Sequence, residues 1–397
     1  MEARYQRVEL PRGRRILVVS DLHGNLAGFQ ALLEQVKYGE NDILIIVGDM
    51  LEKGPDSLGL LRYVIHLSQS HTVYAVCGNC DDFYDEIIKP GTPEENRDCL
   101  HYMLNRKKNI LNEMCWEIGV EVHENTDMTK LKQQLREAFP KEFAFLGTLP
   151  DILETQRYIF VHAGLQPGDL RHQDQNFCRH TGSFLSLGYS FEKTCVVGHW
   201  PVCLYGKHGI CHNPIFDREH NVISIDGGNV LKEGGQINVL ILPELFSESI
   251  EWQSYDGLPL STALENQPES NQESIHLRWT DGKVEILKRE KDYCYCRHES
   301  SGALVWIPES WLYERNGKWF TDDYTEYHPE IHAGDRIAVL QRTSKGCFVK
   351  KDGVCGWYSG AVSEGNEEER NLCSQWPNAR PAGAGVKRLL GTKAGEW

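Results

Sequence analysis

The 397-residue sequence has no apolar run of about 18 residues, the length that would span a bilayer. Its first stretch, MEARYQRVELPRGRR, lacks the apolar core of a secretion signal. We therefore expect a cytoplasmic protein with no membrane partner. Positive charge is also in deficit. The 42 Lys and Arg stand against 57 Asp and Glu, and a net charge of -15 disfavours broad contact with nucleic acid. Cysteine is plentiful, but a disulfide framework is lacking: the 13 residues are odd in number and irregularly spaced, which fits reduced thiols. The pair Cys77 and Cys80 does not open a thioredoxin-like helix, so no redox role is read from it.

What is present is a set of short apolar runs that each end in polar residues. Ile16 to Val19 reads as a buried strand, and Asp21 and His23 follow at once. Leu26, Phe29, Leu32, Leu33 and Val36 recur at helical spacing. A second strand, Ile43 to Val47, delivers Asp49, with Glu52 and Lys53 just beyond. Residues 57–68 predict a crossover helix in which His66 is a surface or packing histidine, and Thr72 to Val76 predicts a third strand ending in Gly78, Asn79, Cys80 and Asp81. Residues 83–150 read as a helical insertion beside the site. Strands then return at Tyr158 to Val161 before His162, at Cys195 to Val197 before His199, at Asn221 to Ile225 before Asp226, and at Ile237 to Leu242. One Asp or His after a strand is most often a loop residue or a cap. Repetition changes that weighting: strand ends carrying Asp21, His23, Asp49, Asn79, His162 and His199 form a nitrogen and oxygen donor set suited to Mn, Fe or Zn.

The order DLHGN, GDMLEKG, GNCD, HAG, GHW resembles the calcineurin-like metallophosphoesterases, chiefly their phosphoprotein phosphatase and diadenosine tetraphosphate hydrolase branch, over residues 14–243. The resemblance implies an α/β fold, a β-sandwich with flanking helices, and two divalent metal ions. By motif position, Asp21 and His23 would hold one ion, Asn79, His162 and His199 the other, and Asp49 would bridge them. A hydroxide bridging the two ions would then attack phosphorus in line. Glu52 and Lys53 stand where the branch has an acidic residue followed by Arg, so Lys53 would bind the phosphate as a point charge. Asn79 would also face the substrate. Cys80 replaces the usual His and is a poor general acid, with Asp81 expected to orient it or a water. The implied activity is a phosphomonoesterase acting on phosphoserine or phosphothreonine proteins, or on phosphorylated small molecules. Dinucleoside tetraphosphate hydrolysis is the alternative, and a weakened phosphoesterase acting as a binding scaffold is a third reading from another class.

Composition changes after residue 244. Residues 245–276 read as a polar linker. Short strands separated by Asp-Gly, Ser-Gly and Lys-Gly turns then predict two small all-β units, 277–325 and 326–363. The second resembles bacterial SH3-like domains, and the first is read as a tandem copy. Trp306, Trp357 and Tyr358 could line a groove for a peptide or cell-wall ligand, although core packing is the commoner role for such residues. Residues 364–397 read as a disordered tail.

Overall fold

A computed structural model describes residues 1–82, 84–206, 209–270 and 273–363 of the chain. They divide into two compact units. The first comprises Met1–Val202 and Pro214–Asp256; the second comprises Cys203–Asn213 and the chain from Gly257 to Ser363.

In chain order the first unit holds strands β1 (Tyr5–Arg7), β2 (Ile16–Val19), β3 (Ile43–Val47), β4 (Thr72–Val76), β5 (Ile152–Glu154), β6 (Tyr158–Val161) and β7 (Thr194–Val197). After β8 (Ile210–Cys211), which belongs to the second unit, come β9 (Ile215–Asp217), β10 (Val222–Ser224), β11 (Ile237–Leu242) and β12 (Glu251–Tyr255). They form two sheets, in the orders β12-β11-β2-β3-β4 and β1-β5-β6-β7-β10-β9. Alternation along β2 explains the sandwich. Ile16 and Val18 point into a core shared with Leu153, Tyr158, Phe160 and Val196 of the other sheet, while Leu17 and Val19 face outward into a core formed with helices. Both faces of these strands are covered, which is why they read as continuous apolar runs.

The helices covering the first sheet are capped by their own sequence. Helix α1 (Leu26–Gln35) begins at Asn25, whose side chain accepts from the Gly28 N–H, and α2 (Ser57–Ser70) begins at Asp56, which accepts from Gly59. The insertion supplies α3 (Tyr84–Ile88), α4 (Pro93–Asn105), α5 (Ile110–Glu117), α6 (Met128–Ala138) and α7 (Pro140–Thr148). Thr92 and Glu95 make a reciprocal capping box on α4, and Asp127 caps α6. His66 is exposed on α2. Among the described residues no helix is long and apolar enough to cross a membrane.

The chain beyond residue 244 differs from its expected layout in two respects. Residues 245–276, read as a linker, contain β12, which pairs with β11, and then β13 (Leu260–Thr262) and β14 (His276–Leu277). Hydrogen bonding to a neighbouring strand holds these polar segments, so apolar periodicity gave no signal. Nor do 277–325 and 326–363 form separate bodies. Strands β15 (Lys283–Glu290), β16 (Tyr293–His298), β17 (Leu304–Pro308), β18 (Leu312–Arg315) and β19 (Lys318–Thr321) form one five-stranded sheet. After β20 (Tyr324–Thr325), which pairs with β14, strands β21 (Arg336–Thr343), β22 (Gly346–Lys351) and β23 (Val354–Tyr358) join β13 and β8 in another. Trp311 packs edge-on against Phe348 with centroids 4.9 Å apart and lies 5.8 Å from Trp357, so the two sheets share an aromatic core. Sheets this small have little interior of their own, and sharing one removes more apolar surface from water. Trp357 and Tyr358 are buried, with Trp357 Nε1 donating to Thr325 O and the Tyr358 hydroxyl to Glu265 O. Trp306 is half-buried and lies 5.0 Å from Tyr295, with the Lys345 ammonium over its ring. The 364–397 tail lies outside the described residues.

Candidate metal centre

The six expected ligands converge at the carboxyl ends of β2, β3, β4, β6 and β7. Their loops are held in conformations that L-residues seldom adopt: φ is +52° at Asp21, +46° at His23, +50° at Asp49 and +64° at His199. Backbone bonds between loops hold them there. The Asp21 N–H donates to Gly48 O at 3.1 Å, and the His23 N–H donates to Asp49 O at 2.9 Å. Gly48 also has positive φ, and a Cβ there would meet the His162 ring at 2.6 Å, so glycine is required at that turn.

Asp49 lies at the middle. Its Oδ2 is 3.8 Å from His23 Nε2, and its Oδ1 is 3.2 Å from His162 Nε2. On one side, His23 Nε2 is also 3.9 Å from Asp21 Oδ1. On the other, Asn79 Oδ1 is 3.0 Å from His162 Nε2 and 2.9 Å from His199 Nδ1. His162 Nδ1 is 3.0 Å from Val47 O, and His23 Nδ1 is 3.3 Å from Leu51 O. Donating Nδ1–H to these carbonyls leaves each Nε2 with a lone pair facing the cluster. His23 Nε2 and His199 Nε2 are buried without a hydrogen-bond partner, a cost that a cation at His23 would relieve.

The electrostatics point the same way. Burial holds the imidazoles neutral, lowering His23 and His199 to about 3 and also lowering His162. Burial, with Asp226 and Asp49 nearby, pushes Asp21 up. Burial opposes ionisation of Asp49 too, but His162, His23 and Lys53 outweigh it and its carboxyl stays below the usual range. A buried donor set of neutral imidazoles, an amide oxygen and crowded carboxylates fits divalent cations.

Burial would lower the largely buried Lys53 ammonium, but Cys80, Asp49 and Asp21 more than offset this and keep it charged. Burial drives the Cys80 thiol upward, so it is a neutral group, and its Sγ lies within 4.8 Å of donor atoms of His23 and Asp49.

The structure changes the reading of two expected catalytic residues. The Asp81 carboxylate accepts from the N–H groups of Met50 at 3.0 Å, Leu51 at 3.2 Å and Gly78 at 3.0 Å. It clamps two strand-end loops together rather than orienting the group at position 80. The Glu52 carboxylate turns toward the insertion, accepting from the Tyr102 hydroxyl and from the Ile110 N–H at the start of α5. Burial raises it to about 7. Tyr102 was missed because a lone Tyr on a helix carries no local signal. Also unassigned were Asn25 and Asn229, whose side chains meet at 2.9 Å, and Asp226.

Residues 14–203 match the family described as Calcineurin-like phosphoesterase. A 76-residue segment, 19% of this chain, is 39% identical to Serine/threonine-protein phosphatase 1 of Salmonella typhimurium and spans 33% of that protein. Similarity to Bis(5'-nucleosyl)-tetraphosphatase PrpE of Anoxybacillus flavithermus runs over 252 residues at 27% identity, covering 59% of this chain and 92% of the relative. A metallophosphoesterase structure from Sphaerobacter thermophilus is matched over 61% of this chain and 88% of its own at 17% identity, with a TM-score of 0.35. The matched span runs from the strand that delivers Asp21 to just past His199, and it marks residues 14–203 as a calcineurin-like phosphoesterase domain, the mark of a phosphoester hydrolase.

Proposed function

We propose that the chain is a dinuclear metal-dependent phosphoesterase in which Asp21 and His23 hold one divalent ion, Asn79, His162 and His199 hold the other, and both share Asp49. The observation that carries this reading is the division of Asp49, one oxygen toward His23 and the other toward His162. Mn suits this donor set, with Fe or Zn as alternatives. When bound, such ions supply Lewis acidity and lower the pKa of a water toward neutrality. Lys53 contributes a fixed positive charge beside the phosphoryl oxygens, as a point donor rather than a bidentate fork.

Protonation of the leaving group distinguishes the substrates. Burial keeps Cys80 a neutral thiol far from the pKa of an efficient general acid, and the clustered histidines carry no proton to give. A serine alkoxide needs that proton; a nucleotide phosphate leaves without it. This favours dinucleoside polyphosphates over the phosphoproteins that the motifs alone put first, in line with the length of the match to the tetraphosphatase. We read the second unit as an SH3-like module for a peptide or cell-wall ligand.

The test compares initial rates on diadenosine tetraphosphate, a phosphoserine peptide and p-nitrophenyl phosphate with Mn added to metal-stripped protein. Diadenosine tetraphosphate and p-nitrophenyl phosphate should exceed the peptide by about 100-fold, the scale of one general acid. A faster peptide would restore the phosphoprotein reading. Two bound ions with no turnover on any substrate would favour the scaffold.

A further inference from the structure

The loop after β10 carries an acid that the proposed ligand set does not use. Strand β10 runs parallel to β7 with Ser224 beside Val197, and the Ile225 N–H donates to Val197 O at 2.9 Å. The ladder ends there, and the chain carries the Asp226 carboxylate close enough to that of Asp21 to raise its pKa. The His199 N–H in turn faces both carboxylate oxygens of Asp21, at 3.3 and 3.1 Å. Asp226 is 1% exposed. Its Oδ1 accepts from the Gly228 N–H at 2.7 Å, while Oδ2 is buried with no hydrogen-bond partner. The same loop grips the first motif through Asn229, whose Nδ2 donates to Asp21 O at 3.1 Å and Leu22 O at 2.9 Å.

A carboxylate oxygen kept from water without a partner is costly, and a second carboxylate beside it adds repulsion. Asp21 and Asp49 both oppose ionisation nearby, with Lys53 and Lys232 as the facing positive charges. Hydrogen bonding to Gly228 satisfies one oxygen and leaves the other available. We propose that Asp226 is a further anionic member of the metal centre, acting on the divalent cation that Asp21 and His23 would hold. This rests on the dinuclear reading. In that role it balances ionic charge and fixes the side of the site facing Asp21, whose main chain Asn229 already anchors.

The experiment titrates MnCl2 into metal-stripped, full-length protein by calorimetry and follows thermal unfolding with and without Mn. Asp226→Asn keeps the shape and the Gly228 bond. It should weaken one of the two Mn affinities by about 10- to 100-fold, the range for supporting groups around a metal, and leave the other unchanged. Without Mn its Tm should match or exceed that of the wild type, because a buried charge has gone; the rise in Tm on adding Mn should shrink. A purely structural role would lower Tm in both states and leave both affinities intact, and unchanged affinities overturn the proposal. If the Asn variant does not fold, Asp226→Ser reads the same two constants. A wild type that binds no Mn defeats the dinuclear reading and this proposal with it, whereas two ions in the wild type and an unaltered variant defeat this proposal alone.

Discussion

Left-handed backbone serves opposite ends in the two units. Among the described residues of the second, the non-glycine residues with positive φ are Lys291, Asn316 and Asp352, each exposed at a hairpin turn between adjacent strands. In the first, Asp21, His23, Asp49 and His199 adopt it where strands end at the buried cluster. At a turn the conformation is a local requirement of chain reversal, and solvent satisfies what the backbone does not. At the cluster it is imposed by bonds between loops and aims side chains inward. The first unit also has it at plain connections, at exposed Lys37 after α1 and at Asn221 between β9 and β10, so the same dihedral angle marks a connection or chemistry, and burial distinguishes them.

The comparison is broken most forcefully at its centre. Asp49→Asn should lower kcat on p-nitrophenyl phosphate by at least about 10³-fold and reduce bound Mn, measured by steady-state rates and metal analysis. Full rate with full metal content would remove the shared-carboxylate role. Next is the aromatic core of the second unit, where Trp357→Ala should cost about 3–5 kcal/mol, read as loss of one calorimetric unfolding transition. Hydrolysis of p-nitrophenyl phosphate should persist, since the clustered side chains all belong to the first unit.

Glu52 gives a smaller, pH-dependent effect. Burial raises its carboxyl to about 7 in the metal-free fold, above its unfolded value. A raised acid contributes stability that is complete below the unfolded pKa and lost as pH rises through the folded one. Glu52→Gln should therefore gain on the wild type by about 1–3 kcal/mol between pH 4.5 and 8, measured by urea unfolding of metal-stripped protein. A flat difference would refute the assignment. Least affected should be Asp352→Asn, in a turn where Asn-Gly is at home: stability should stay within about 0.5 kcal/mol and turnover unchanged. A larger loss would mean that this turn is more than a connection.

Much of the first unit was legible because its strands are buried on both faces and so spell themselves as apolar runs, each ending in the residue it delivers. Ile16 to Val19, Ile43 to Val47, Thr72 to Val76 and Tyr158 to Val161 have the expected bounds. Roles within the cluster were less legible. Glu52 and Asp81 lie inside motifs, but whether a carboxylate faces the centre or a neighbouring amide depends on which N–H groups the other loops present. The excursion of Cys203–Asn213, which lends β8 as an edge strand to β23, has no signal in a two-residue strand. Sequence by itself determined the strands, the order of donors and the chemistry they suit, since periodicity and residue type are local properties. Tertiary structure alone decided that the strands divide into two sheets, that Asp49 faces both ways, and that Asp226 comes near Asp21, because each depends on contacts between segments far apart in the chain.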